Sequence, residues 1–497
     1  MKMVIGVDLG TSGVKGVIFD SDGKALASES DNYPLISSKK NWAEEDPLVW
    51  QKATLNMLRH LLDSFSKPKD EIVAIGLTGQ MHGLVLLDKN NQVLRPALLW
   101  CDLRSEDVSA ELIAKYGKGF FLKRTGNLPI ASLTLAKLLW IKKYEPKIFS
   151  AIDKVMLPKD YIRYILTGKH QSELSDLSGT QFINFATKDY DEEIMHIIGL
   201  PRHVYPQIIA SYDSGGNIKN SIAKELGLNP NVIVAGGASD QAANALGVGV
   251  IKNKEATISM GSSGVFLAVN DKFTFNNSGK SQTFMHVDGR SFLTIGVTQT
   301  CTTSLNWFTD TFYSEFSDKK IALSKINDDA SESPIGSNGV IFLPYLMGER
   351  TPHLNANAKG VFFGLNTNVD RKDMARAVME GVAYSIKDCA LVVLKHQSIN
   401  RIGIGGGGAK SPLWRQIVAD TLGLKLDLSS VNESGCLGAA ILAMIASGIY
   451  PSITKAVEII FSNPKTFVVP NKENNLIYQE NFLTYQGIYK QLKTLFR

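Results

Sequence analysis

This chain writes one turn twice, half its length apart. "MVIGVDLGTSGVKGVIFD" (3–20) and "EATISMGSSGVFLAV" (255–269) each pass from an apolar run through Gly, two hydroxyl residues and Gly into a second apolar run. Such runs around a short glycine turn predict a β-hairpin. A hairpin repeated at this distance in 497 residues predicts a duplicated α/β unit with a boundary near residue 250, giving domains 1–250 and 251–497. Only the first copy carries an acid, Asp8.

The pattern between the turns is that of mixed α/β units. Val4–Val7 and Val14–Phe19 predict the arms of the first hairpin, and "ALASES" (25–30) a third strand. Asp46 suits a helix cap and Pro47 the first helical position, with Leu55, Leu58, Leu62 and Phe65 following at helical spacing. "IVAIGL" (72–77) and "NVIVAGG" (231–237) predict buried strands, the second leading into a helix at "SDQAANALGVG" (239–249). Residues 104–205 are richer in helical pattern and predict an elaboration on the first unit. "LGAAILAMIASGIY" (437–450) is too short to span a bilayer and predicts a buried helix.

A glycine-bracketed turn presents backbone N–H groups, and glycine lets a ligand approach closely. Gly10, Thr11 and Ser12 in one copy, with Gly261, Ser262 and Ser263 in the other, make two nests with added hydroxyl donors, suited to phosphate oxygens. One copy alone reads as an ordinary hairpin turn; two matching copies favour a polyphosphate held between them. Asp8 would then hold Mg²⁺ through waters, because Mg²⁺ dehydrates reluctantly. No P-loop competes: Gly279–Ser281 reads G-K-S, but position 274 is Thr where that motif needs Gly. "GIGGGG" (403–408) satisfies G-x-G-x-x-G but lacks the following βαβ unit of a dinucleotide site. It is read as lining the flat face of an adenine.

The formal net charge of +5 is spread without a basic run or an aromatic-interleaved basic patch, which argues against a nucleic-acid partner. Cys101, Cys301, Cys389 and Cys436 lie far apart with no C-x-x-C pair, which argues against a disulfide framework and a zinc site. Asp8 interrupts the N-terminal apolar run too early for a signal peptide. The expectation is a cytoplasmic protein without membrane association. Phe482, Tyr485, Tyr489, Leu492 and Phe496 read as the apolar stripe of a helix packed on the core. Trp307 reads as core packing, and the cysteines as small buried hydrophobes. The carboxylates of "NWAEEDP" (41–47) read as an offset to the dipole of the helix that follows.

With "DLGTSG" (8–13) and "SMGSSG" (259–264) paired in this way, the sequence resembles the actin, hexokinase and sugar-kinase superfamily. That resemblance implies an α/β fold of two duplicated ribonuclease H-like domains flanking a cleft. Within the superfamily the chain is similar, over essentially its full length, to the FGGY carbohydrate kinases. "GVFFGLNTNVDRKDMARAVMEG" (360–381) matches one family signature well, and "SLTLAKLLWIKKYE" (132–145) matches the other less fully. "GQMHG" (79–83), "LPKDYIRY" (157–164), "SDLSGT" (175–180) and "GERTPHLNANAKGVFFGL" (348–365) resemble the xylulokinase branch. "GGASDQAANALG" (236–247) departs from that branch and is similar to gluconate kinases.

The resemblance implies ATP-dependent phosphorylation of D-xylulose, with gluconate, another pentulose or a polyol as the alternative acceptor. A non-metabolic actin-like or chaperone-like ATPase is the alternative of another class. Asp240 matches the catalytic base, although its residue type and place also suit a helix N-cap. Met81 and His82 match the sugar-contact pair, with Gln80, Trp100 and Gln241 as further substrate contacts. Gly10, Thr11, Ser12, Gly261, Ser262 and Ser263 would bind the ATP phosphates, Gly406, Gly407, Gly408 and Ala409 the adenosine, and Asp8 the Mg²⁺. The first domain would take the sugar and phosphates and the second the nucleotide, with a homodimer as the family-based expectation.

Overall fold

The computed structural model describes residues 2–395, 397–428, 433–462 and 466–496. Each glycine turn opens a mixed sheet. In the first half, β1 (Met3–Leu9), β2 (Gly13–Asp20), β3 (Ala25–Asn32), β4 (Ile72–Gly79) and β5 (Ile233–Ala235) lie in the order β3-β2-β1-β4-β5. In the second, β6 (Glu255–Met260), β7 (Gly264–Asn270), β8 (Phe292–Thr298), β9 (Arg401–Gly405) and β10 (Leu426–Leu428) lie in the order β8-β7-β6-β9-β10. Both orders run antiparallel, antiparallel, parallel, parallel. Sequence similarity at the turns is therefore carried through the whole sheet. An antiparallel strand extends each order at both of the remaining sites in the second sheet, Gln282–Met285 and Thr466–Val468, and at one in the first, Ser214–Asn217.

Helix α1 (Pro47–Asp63) begins as its residues require: the Asp46 side chain accepts from the backbone N–H of Leu48 at 2.9 Å. Leu58 and Leu62 of the predicted stripe are fully buried with Trp50 and Met57, while Leu55 and Phe65 pack at its margin. Residues 104–205 form the expected helical elaboration: Glu106–Tyr116 and Thr134–Tyr144 pack around a core that contains Leu135, Trp140 and Phe182, and Pro158–Thr167 buries Tyr161, Ile162 and Leu166 with α1. The C-terminal helix Lys472–Leu492 buries Phe482, Tyr485 and Tyr489 against the second half.

Two helices lock the halves together. Helix α2 (Asp240–Gly247) leaves the first sheet, and α3 (Ser434–Ala446) returns from the second half to cover it. Glycine permits the contact. A Cβ on Gly6 would lie 1.9 Å from the Cys436 carbonyl oxygen, and one on Gly76 would lie 1.8 Å from that of Ala439. Between the helices, Gly247 faces the Ser434 carbonyl and Gly438 that of Ala243 in the same way. Leu437, Ile441, Leu442 and Met444 are buried there, each worth about 1.5–3 kcal/mol. The predicted stretch is thus a core helix as far as Ala446, with 447–450 a turn beyond it, and no described helix is long and apolar enough to cross a membrane.

Two sequence expectations fail. Glu44 and Glu45 are not solvated charges set against the dipole of α1; both are buried in a short strand with side-chain partners of their own. Glu44 pairs with Arg95 and, at 2.8 Å, with Arg104. Spacing to a helix start said nothing of these cations, which come from residues 51 and 60 positions on. Trp307 is 36% exposed and lies parallel to Phe342 at 6.1 Å, on the margin of the core rather than within it. All four cysteines are free, and Cys101 alone is only half-buried.

Candidate active site

A cavity of about 210 Å³ opens between the halves. The first half contributes Thr11, Met81, His82, Trp100, Asp240 and Gln241 to its wall, and the second Ser263, Gln282, Phe284 and Arg350 among others. One residue from each glycine turn, Thr11 and Ser263, therefore meets the same space as Asp240 and the Met81–His82 pair. Asp8 and Gln80 stand outside the wall, and so do Gly406–Ala409.

Asp240 is the first residue of α2, with Ser239 in the cap position. Its carboxylate accepts from the backbone N–H of Gln241 at 2.7 Å, so it sits at the positive end of the helix. Burial, and then the negative charge of Asp8, nevertheless push its pKa up to about 7. Asp8 is raised to about 6, mainly by burial and then by Glu433, against the opposing pull of Lys15. Lys15 is its cross-strand partner in the hairpin and pairs with Glu433 at 2.6 Å. The carboxylate of Asp8 abuts the first turn of α3, where a Cβ on Gly435 would lie 2.7 Å from it.

His82 has φ +67°, a left-handed backbone unusual for a residue with a side chain. Two family motifs hold it there. From "SLTLAKLLWIKKYE", the Thr134 hydroxyl and the buried Lys137 ammonium donate to the His82 carbonyl at 3.2 and 3.0 Å. From "SDLSGT", the Gly179 carbonyl lies 3.1 Å from Nδ1, and a Cβ on Gly179 would lie 2.6 Å from that nitrogen. Burial and then the charge of Lys137 press the imidazole pKa down to about 3, so the ring is neutral. With Nδ1–H donating to a carbonyl, Nε2 is the acceptor. The sequence reading singled out His82 but gave no role to Thr134, Lys137 or Gly179.

Gln80 is committed elsewhere. Its amide nitrogen donates to Glu45 at 3.1 Å and its oxygen accepts from the Thr11 hydroxyl at 3.2 Å. Thr11 in turn accepts from the indole N–H of Trp100 at 3.0 Å, and Trp50 donates to Glu45 at 2.7 Å. This chain ties the first turn to Trp100 in the cavity wall. Burial raises Glu45 to about 7, against the lowering effect of these two donors. Nothing in the spacing of "NWAEEDP" pointed to this place.

The carbonyls of both turns are tied back. Tyr33 donates to the Gly10 oxygen at 2.6 Å, and the backbone N–H groups of Thr302 and Cys301 donate to the Gly261 and Ser262 oxygens at 2.9 and 2.7 Å. Gly406, at φ +91°, abuts the backbone of Met260 at the end of β6, where a Cβ would lie 2.7 Å away. Gly408 packs on Met260 and Trp414, and Ser411 caps the helix Pro412–Leu422 that follows. The glycine-rich stretch is thus a turn between β9 and a helix, beside the second hairpin. No group of three or more metal-ligating side chains occurs among the described residues. Asp8, a buried carboxylate whose charge reaches Asp240, fits an ion that takes one or two carboxylates and leaves its other positions to water and phosphate, as Mg²⁺ does.

Models of the FGGY family of carbohydrate kinases match both halves, the N-terminal domain over residues 3–247 and the C-terminal domain over 256–447. The xylulose kinase of Bacillus subtilis is 35% identical over 497 residues, 100% of this chain and 98% of that protein. The xylulose kinase of Escherichia coli is 36% identical over 499 residues, 99% and 100% of the two chains. Among solved structures, the ligand-bound xylulose kinase of Lactobacillus acidophilus superposes with a TM-score of 0.93 at 29% identity, covering 100% of this chain and 99% of that one. The gluconate kinase of the same organism superposes with a TM-score of 0.92 at 30% identity and the same coverage. With two sheets of one order, a cleft between them and family models over both, the chain belongs to the FGGY family of carbohydrate kinases.

Proposed function

We propose that this kinase transfers the γ-phosphoryl group of ATP to the terminal hydroxyl of D-xylulose, giving D-xylulose 5-phosphate and ADP. One observation carries the reading: a single cavity holds the Asp240 carboxylate, the neutral His82 ring and a residue of each glycine turn. Asp240 takes the proton of the 5-hydroxyl as its oxygen bonds to phosphorus and the bond from phosphorus to the ADP oxygen breaks. A base near the working pH balances ionisation against proton affinity, and its raised pKa suits that task. Nε2 of His82 accepts from a sugar hydroxyl, while Met81, the Trp100 face and Gln241 bound the carbon chain. Gln80 acts behind them by holding Thr11.

The turns at Gly10–Ser12 and Gly261–Ser263 hold the phosphates, and Gly406–Ala409 line the adenosine. Asp8 would hold Mg²⁺, whose charge offsets that developing on the phosphate oxygens. Residues 1–250 then carry the base and the sugar-contact pair, and residues 251–497 the nucleoside, with both halves walling the sugar. Closure of the cleft excludes water from the reaction. Four free thiols suit a reducing cytoplasm. ADP release measured across D-xylulose, other ketoses, polyols and aldonates tests the assignment. D-xylulose should give the highest kcat/KM; a higher value for gluconate would reassign the acceptor.

A further inference from the structure

The motif "GERTPHL" places one cation, Arg350, in the cavity wall. Its neighbour in sequence, Glu349, is fully occupied. That carboxylate accepts from the hydroxyls of Thr298 and Ser385 at 2.8 and 3.0 Å. It also accepts from the backbone N–H groups of Gln299 and Arg350 at 2.8 and 2.7 Å. Among the described residues the Arg350 guanidinium forms no ion pair and no side-chain hydrogen bond. Its close contact is the face of Trp100, 5.5 Å from the ring centroid. It also borders a second chamber of about 380 Å³, which shares Gln282, Ile295 and Val297 with the first.

A guanidinium is a fork of donors with no acceptor. Held in a partly dry wall beside Ile295 and Val297, it is poorly satisfied until a ligand brings oxygen to it. Asp240 addresses the hydroxyl that is phosphorylated, so Arg350 addresses another part of the acceptor. A carbonyl oxygen only accepts and matches the fork. A hydroxyl there can also accept, but it brings a proton that Ile295 and Val297 cannot take and that must compete for the Gln282 amide, whereas a carbonyl asks for no acceptor.

We propose that Arg350 is a specificity-determining residue that donates to the carbonyl of the acceptor, so that the cavity prefers a ketose to the polyol of the same length. This rests on the acceptor reading given under Proposed function. The test is initial-rate kinetics with D-xylulose and with xylitol, on the wild type, Arg350→Gln and Arg350→Lys. In the wild type D-xylulose should be the better acceptor. Arg350→Gln should raise KM for D-xylulose roughly ten- to hundredfold, the loss expected for a hydrogen bond to a charged group. It should leave KM for ATP within about twofold and change kcat/KM for xylitol much less, so that the preference collapses. Arg350→Lys keeps the charge without the fork and should fall between, and it supplies the same readout if Arg350→Gln does not fold. Equal losses on both acceptors, a parallel rise in KM for ATP, or unchanged D-xylulose kinetics would overturn the proposal. A wild type that fails to phosphorylate D-xylulose would instead remove the functional reading on which it rests.

Discussion

Replacing Asp240 by Asn should make the protein more stable and nearly inactive, and both effects follow from one fact of geometry. The carboxylate is held where burial and the charge of Asp8 oppose its ionisation, moving it from 3.8 to about 7. At 1.36 kcal/mol for each pKa unit, ionising it in the folded protein costs up to about 4 kcal/mol more than in the unfolded chain. Solvent at the cavity mouth reduces this, so about 1–3 kcal/mol is expected. The sign is set by proton binding. Between about pH 4 and pH 7 the folded protein holds the proton and the unfolded chain has lost it, so the wild type loses stability as pH rises through that window. Asn carries no such penalty. Urea unfolding at about pH 5 and about pH 8 should therefore show a gain for Asp240→Asn that is larger at the higher pH. Phosphoryl transfer should fall by roughly 10²–10⁴-fold while calorimetry still shows both substrates bound. A pH-independent stability difference would refute the buried-carboxylate argument. Transfer at near the wild-type rate would show that Asp240 is not the base.

Asp8→Asn should impair Mg²⁺-dependent turnover even at saturating Mg²⁺. Because the charge of Asp8 helps to raise Asp240, the acid limb of the kcat/KM profile should also move to lower pH; an unmoved limb would separate the two residues. His82→Ala should raise KM for the sugar but not for ATP, by the roughly 0.5–1.5 kcal/mol of one hydrogen bond, and equal effects would make His82 a prop for the fold. Gly76→Val should destabilise by about 1–3 kcal/mol or more in urea, because its Cβ would lie 1.8 Å from the Ala439 oxygen. Tolerance at that site would mean that α3 is not seated on β4 as described.

Local signals carried the sequence reading wherever the structure is local. The hairpins, the α1 cap at Asp46 and the core helix Ser434–Ala446 rest on periodicity, turn chemistry and a polar side chain reaching two residues on. The cavity needed more. His82 was visible as a motif, but its strained backbone is held by Thr134, Lys137 and Gly179, between 52 and 97 residues further along the chain. Glu45 reaches the first turn through Gln80, and Arg350 meets Trp100 across the cleft. No periodicity encodes such pairings, because they exist only once two sheets face each other. Gly6 and Gly76 likewise read as unremarkable strand glycines until α3, over 350 residues later, lies on them.

Transfer of labelled phosphate tests the central claim most directly. The purified chain is incubated with Mg²⁺, γ-labelled ATP and D-xylulose, and the products are separated and located by phosphorus NMR. The label should appear on the 5-oxygen of D-xylulose, with ATP consumed far faster than in the absence of sugar. Label recovered only as inorganic phosphate, at a rate that D-xylulose does not change, would contradict the account.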